Sequence, residues 1–123
     1  MAQSKISTIK HAQRSSFILR EVSELFLKIA MDDVTLQELY ITRVELSPDR
    51  GVCTIFFHTP AGNEGFQKLM PTLILYKPSL RSALAKASSA RYTPDLRFAY
   101  DAGIDHQNKI EDLFKKLKDE GKL

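Results

Sequence analysis

Apolar residues in the first thirty positions recur at three- and four-residue steps, which is the spacing of an amphipathic helix. The pattern predicts a helix from about Ile6 to Ala30. Its apolar stripe consists of Ile18, Val22, Leu25, Phe26 and Ile29. Phe17 and Leu27 lie outside this stripe, so they are candidates for contact with a neighbouring element or with a partner.

Three later segments show the patterns of β-strands. Apolar and polar residues alternate from Leu39 to Leu46, which predicts a half-buried strand. The next segment, SPDRG, contains proline and glycine and predicts a turn. The apolar segment VCTIFFHT then predicts the return strand of a β-hairpin, and alternation at residues 96–100 predicts a third strand.

Two helices are predicted between the second and third strands, with a break at Lys77 and Pro78. The first begins at about Asn63 and contains Pro71, which removes one backbone donor and should bend the helix. Lys77 precedes a proline and so disfavours the helical conformation, whereas Pro78 suits the first position of a new helix. A last helix is predicted from Ile104 onward.

The predicted order α-β-β-α-α-β, followed by a C-terminal helix, indicates the α+β class, with a three-stranded sheet covered on one face by helices. At 123 residues the chain is long enough for one core. We expect one domain over residues 1–103. Residues 104–123 should form a helix that packs on this domain or a partly mobile tail.

Composition narrows the cellular setting. No apolar run approaches the roughly 20 residues that a membrane helix needs. The N-terminal segment is basic and serine-rich, which also fits an organelle transit peptide, but its early helical register favours mature sequence. The lone Cys53 excludes an internal disulfide and, unless it pairs between chains, indicates a reducing compartment such as the cytoplasm.

Charge is unevenly distributed along the chain although the net charge is only +3. Residues 1–30 contain five Lys or Arg and two acids, and residues 77–100 contain five and one. Residues 31–76 reverse this balance with three basic and six acidic residues. This asymmetry favours a basic surface that attracts a polyanion, although small domains also show such asymmetry without a ligand.

Signals for catalysis are weak. His11, His58 and His106 are far apart in sequence, and none has metal-ligand spacing. Cys53 and His58 lie an odd number of residues apart on one predicted strand, so their side chains should point to opposite sheet faces. Cys53 is best interpreted as a buried structural residue. We therefore expect no enzyme, metal, cofactor or small-molecule substrate.

The predicted helix–break–helix is an arrangement that KH-type nucleic-acid modules use. Those modules clamp four backbone nucleotides over a GxxG loop, whereas this chain has YKPS there. Phosphate contact would then depend on charged side chains. The candidates near the break are Lys77, Arg81, Lys86 and Arg91, with Lys5, Lys10, Arg14 and Arg20 as an outer basic surface. Arg81 has the alternative of a capping or salt-bridge role.

The segment LRSALAKASSARYTPDLRFAYD resembles the most characteristic stretch of the bacterial ribosome-binding factor A family. In that family an aliphatic-Arg-Ser sequence opens a helix of small residues, which leads into Arg-x-x-Pro-Asp/Glu-Leu-x-Phe and an aromatic-Asp pair. The matching residues are Leu80, Arg81, Ser82, Arg91, Pro94, Asp95, Leu96, Phe98, Tyr100 and Asp101. The segment ITRVELSPDRGVCTIFF is similar to the family's first hairpin, and the resemblance spans about residues 10–114.

This resemblance implies a type II KH-like fold and a non-enzymatic role in ribosome assembly. Its members bind the immature small (30S) ribosomal subunit and assist late maturation of 16S rRNA, including processing of its 5′ end, notably in the cold. The implied partner is 16S rRNA within the free subunit, bound by a monomer. The family has Ala-x-Gly at the helix break, where this chain has Tyr76-Lys77-Pro78.

Two alternatives remain open from the sequence. One is a KH-like module that binds single-stranded RNA outside ribosome assembly. The other is a protein–protein adaptor that uses Phe17, Leu27 or the terminal helix.

Overall fold

The computed structural model describes residues 2–88 and 92–121, with side chains from residue 8 onward. These residues form helices α1 (Ala2–Asp32), α2 (Gly62–Ala87) and α3 (Ala102–Asp119) and strands β1 (Tyr40–Leu46), β2 (Val52–His58) and β3 (Asp95–Tyr100). A short 3₁₀ turn at Val34–Leu36 joins α1 to the sheet. The chain is therefore an α+β protein, as predicted.

The sheet has the order β1-β2-β3, with β2 in the centre. The hairpin makes β1 and β2 antiparallel, with Leu46 opposite Cys53. The crossover through α2 makes β3 parallel to β2, with Leu96 beside Cys53. The register of β1 shifts between Ile41 and Arg43, which turns Thr42 out of the regular ladder.

The core lies between one face of the sheet and helices α1 and α2. Ile18, Val22 and Phe26 from the predicted α1 stripe are buried, and Leu25 and Ile29 pack against them, which confirms the stripe. Phe57 stands at the centre: its ring centroid lies 5.2 Å from Phe26, 5.5 Å from Phe98 and 6.0 Å from Phe66. Across residues 2–88 and 92–121, no helix is long and apolar enough to span a membrane.

The predicted helix break at Lys77 and Pro78 is wrong, because α2 continues through both prolines to Ala87. The buried residues Phe66, Leu73 and Leu80 keep one seven-residue spacing across them. Pro71 and Pro78 are themselves seven residues apart and exposed, on the side opposite this buried row. A proline has no amide hydrogen for the carbonyl four residues before it, but water can bond to these carbonyls on the exposed side of α2. A helix that is convex toward solvent also has longer hydrogen bonds on that side, which leaves room for the proline rings.

Helix α3 begins at Ala102, and Asp101 is its N-cap: the Asp101 carboxylate accepts a hydrogen bond from the Gly103 amide at 3.1 Å. None of its residues is buried. An apolar row of Ile110, Leu113 and Phe114 is exposed. The proposed division of the chain at residue 103 stays a prediction.

Candidate nucleic-acid interface

Three basic residues from separate parts of the chain meet at one open groove beside the C-terminal end of α2. Lys10 and Arg14 come from α1, and Arg50 comes from the turn between β1 and β2. The rest of its lining consists of Gln13, Phe17, Ala87 and Ser88, and the groove has a volume of about 380 Å³. We call this feature the basic groove.

Hydrogen bonds fix each wall of the basic groove. The His11 ring nitrogen Nε2 lies 3.0 Å from the Leu46 carbonyl oxygen, which ties α1 to the end of β1. The Asp95 amide donates to the Gly51 carbonyl at 2.9 Å, which ties the turn to β3. Arg14 donates from Nη1 to Ser88 Oγ at 2.7 Å, which ties α1 to the end of α2.

Arg14 and Arg81 hold the segment that connects α2 to β3. Arg14 Nη2 donates to the Tyr92 carbonyl at 3.4 Å. Arg81 donates from Nε to the Pro94 carbonyl at 3.3 Å and from Nη2 to the Thr93 carbonyl at 3.1 Å. The structure thus gives Arg81 a local supporting role, although through main-chain carbonyls rather than a cap or a salt bridge.

We expect Arg81→Lys to lower the free energy of unfolding by about 1 kcal/mol, because the fork of an arginine reaches two carbonyls and a lysine ammonium does not. Urea denaturation measures the change. Lys86→Arg, at an exposed position on the same helix, is the control and should leave stability unchanged. Equal stability of Arg81→Lys and the wild type would show that Arg81 serves only as a positive charge.

The described ones among the remaining predicted basic residues lie outside the basic groove. The Lys77 ammonium lies 5.7 Å from the Phe98 ring centroid, and the Arg20 guanidinium lies 5.9 Å from that of Phe17. Lys86 is exposed in the last turn of α2, where its charge complements the helix dipole. The side chain of Lys5 and the whole of Arg91 lie outside the described residues.

Comparison with known proteins identifies the chain's relatives. The family model for ribosome-binding factor A matches residues 10–114. The chain belongs to the ribosome-binding factor A family. A relative from Ruegeria is 33% identical over 99 residues, which cover 79% of this chain and 75% of the relative. A relative from Leuconostoc citreum is 32% identical over 102 residues, which cover 81% and 86%.

Solved structures of ribosome-binding factor A share the fold. The crystal structure of the factor from Thermus thermophilus superimposes with a TM-score of 0.62 at 26% identity, covering 73% of this chain and 93% of the other. A solution structure of a putative ribosome-binding factor A from Thermotoga maritima gives 0.63 at 22% identity, covering 72% and 83%. The fold is therefore KH-like, as the resemblance implied, but with one continuous helix in place of the expected pair.

Arg50 is a groove residue that the sequence pattern does not predict. The segment SPDRG predicts only a turn, and nothing in a local pattern shows that the turn lies beside α1 and the end of α2. Arg50 has φ +61°, in the left-handed region that few residues other than glycine adopt. A basic residue at the tip of a tight turn was the available signal.

Cys53 has the structural role that was predicted. It is completely buried, and this burial raises the pKa of its thiol to about 11, so the reactive thiolate is disfavoured. Among the described residues, no three His, Cys, Asp or Glu side chains are grouped to hold a metal ion.

A network of polar side chains at the opposite end of the sheet anchors the start of α3. His58 contacts the Tyr40 hydroxyl through Nδ1 at 2.9 Å and Asp105 Oδ1 through Nε2 at 3.0 Å. The Tyr100 hydroxyl donates to Asp105 Oδ2 at 2.6 Å. This bond, followed by the contact with His58, lowers the pKa of Asp105. Burial and then the bond to Asp105 raise the pKa of Tyr100 to about 12.

Asp101 supports the same junction. Burial opposes its ionisation, but hydrogen bonds from Thr42 Oγ1 and the Gly103 amide, with the charge of Arg43, outweigh burial and lower its pKa. The pKa values of Asp101 and Asp105 in the folded protein therefore lie below the ordinary aspartate value of 3.8. At a pH near these values, the folded protein binds fewer protons than the unfolded chain does.

We expect stability to fall on acidification because of these two carboxylates. Their contribution is complete above the ordinary pKa of 3.8 and is lost as the pH falls through the lower folded-state values of Asp101 and Asp105. Urea titrations at several pH values between about 6 and 2.5 measure it. Asp101→Asn should be less stable near neutrality and show a shallower dependence, and a slope equal to that of the wild type would contradict this origin.

Proposed function

We propose that this chain is a non-enzymatic ribosome assembly factor that binds the immature 30S subunit and assists late maturation of 16S rRNA, including processing of its 5′ end. The observation that carries the proposal is the match of the ribosome-binding factor A family over residues 10–114, which includes all three strands and most of the helices. We further propose that the protein acts in the cytoplasm as a monomer without a cofactor.

The structure supports binding through side chains rather than through a backbone clamp. A KH-type clamp needs a loop between two helices whose free amides approach the nucleotide backbone. Helix α2 is continuous from Gly62 to Ala87, so no such loop lies along it. Charged side chains bind phosphates and fix position more than sequence, which suits the folded RNA of a subunit.

The proposed RNA-contacting residues fall into two groups. Lys10 and Lys86 are exposed and can reach phosphates directly. The others already contact the protein, so they would position the interface as well as contribute charge: Arg14, Arg20, Lys77 and Arg81. Lys5 and Arg91 remain candidates on the sequence alone.

Exposed apolar side chains favour a protein partner as a second candidate function. Leu27 is 65% exposed and Phe114 is 57% exposed. A double variant, Arg81→Glu with Lys86→Glu, distinguishes the RNA-binding function from the protein-adaptor function. Loss of subunit binding in this variant supports the RNA function, whereas unchanged binding to a subunit-associated protein, with no RNA affinity in the wild type, supports the adaptor.

Depletion of the protein in cells that express it tests the proposed maturation step. We expect 16S rRNA with unprocessed 5′ ends to accumulate, and more strongly at low temperature. Primer extension measures the ends, and a plasmid copy of the wild-type chain should restore them. Correctly processed 16S rRNA at every temperature would contradict the proposed role.

A further inference from the structure

We propose that the basic groove is a subsite for one backbone phosphate of the bound RNA, and that Arg50 is its principal ligand. This inference rests on the proposed function, since it specifies where the RNA backbone is held. It adds to the predicted site a residue that neither the sequence pattern nor the family resemblance assigned.

The first argument is the chemistry of the lining. Arg14, Arg50 and Lys10 line a single open groove, so two guanidinium groups and one ammonium group belong to its lining residues, beside the uncharged Gln13 and Phe17. A guanidinium group presents N–H donors in a planar fork that matches two phosphate oxygens. Arg14 uses Nη1 and Nη2 for Ser88 and Tyr92, so it forms a fixed floor. Arg50 and Lys10 supply the other two positive charges.

The second argument is the lack of a counter-charge. Within residues 8–88 and 92–121, no carboxylate lies within 4.0 Å of the charged groups of Lys10, Arg14 or Arg50, and the ion pairs there involve Arg43 and His58 instead. Asp49, the acid beside Arg50, accepts hydrogen bonds from Ser47 Oγ at 2.6 Å and the Gly51 amide at 2.9 Å. An anion in the groove would relieve the repulsion among three like charges.

Arg43 in the same hairpin shows the contrast. Its guanidinium pairs with Glu45 and Asp101 and lies 3.8 Å from the Phe56 ring centroid. The positive charge of Arg43 is therefore neutralised by partners within the fold. Arg50 has no such ion pair among the described residues, so the charge at this position is better explained by a ligand outside the chain.

The third argument is the backbone of Arg50. A residue other than glycine at φ +61° costs about 1 kcal/mol, and asparagine or glycine would fit the turn better. Two hydrogen bonds nevertheless hold the turn at both ends. The Ser47 amide donates to the Val52 carbonyl at 2.8 Å, and the Asp95 amide donates to the Gly51 carbonyl at 2.9 Å. Because the turn is already fixed, its backbone does not have to become ordered on binding, which favours affinity.

Arg50→Gly tests the proposal without damaging the turn, because glycine adopts this backbone conformation freely and the charge is lost. The matched control is Lys68→Gln, which removes one charge at an exposed position on α2, about 28 Å along the helix from Ala87. Both variants and the wild type are titrated with free small subunits over a range of salt concentrations.

We expect Arg50→Gly to bind about tenfold more weakly, as one charge-assisted contact is lost. The slope of log affinity against log salt should fall by about one contact, and Lys68→Gln should behave as the wild type. If Arg50→Gly matches Lys68→Gln in affinity and slope, the subsite is refuted while the proposed function stands. If the wild-type protein itself does not bind, the proposed function fails, and the subsite with it.

Discussion

Phe57→Ala is expected to lower the free energy of unfolding by about 4 kcal/mol. The side chain is fully buried at the centre of β2 and contacts the rings of Phe26, Phe66 and Phe98. Truncation removes buried area, breaks three aromatic contacts and leaves a cavity between the sheet and both covering helices. Since domains of this size are stabilised by roughly 5–15 kcal/mol, the variant would lose a large share of its stability. Urea denaturation followed by circular dichroism measures it.

The matched control for this prediction is Phe114→Ala. Phe114 has the same side chain as Phe57, but it is 57% exposed on α3, so its truncation should cost less than about 0.5 kcal/mol. Comparable losses at the two positions would mean that α3 packs on the core in solution.

Pro78→Ala is expected to raise the free energy of unfolding by about 2 kcal/mol. Inside a helix, proline is about 3 kcal/mol less favourable than alanine. Proline also lowers the conformational entropy of the unfolded chain, which stabilises the folded protein by up to about 1 kcal/mol, so a net gain of about 2 kcal/mol remains on its replacement. Alanine at residue 78 would supply an amide for the Ile74 carbonyl on the exposed side of α2. The same unfolding measurement applies, and Pro71→Ala should show a similar gain.

The sign of the Pro78→Ala effect decides between two architectures. If a second helix began at Pro78, the missing amide would cost nothing and alanine would be neutral or slightly destabilising. A loss of stability in Pro78→Ala would therefore support the helix break that the sequence predicts and would contradict a continuous α2.

The strands and the buried face of α1 could be predicted because their patterns are local. Alternation in β3 and at the end of β1, and helical spacing from Ile18 to Ile29, follow directly from which side chains face the core. The register shift between Ile41 and Arg43 interrupts the alternation at the start of β1. Local backbone preference predicts a break at Pro78, which the structure does not have. The continuous spacing of Phe66, Leu73 and Leu80 was also present in the sequence, and burial of that row outweighs the cost of an exposed proline.

The candidate site could be predicted only in part. Lys10 and Arg14 were identified by charge, and the structure places both at the basic groove. Their meeting with Arg50 depends on contacts between residues far apart in sequence, which no local pattern contains. The bond from Arg14 to Ser88 spans 74 positions and changes the role of Arg14 from a surface charge to a support.

Sedimentation of a cell lysate through a sucrose gradient at low salt tests the central claim most directly. Immunodetection of this chain across the fractions is the measurement. Binding to immature small subunits predicts a peak that comigrates with free 30S particles, with little protein in the 70S fractions. Protein that stays at the top of the gradient and never comigrates with free small subunits would contradict the proposed role in ribosome assembly.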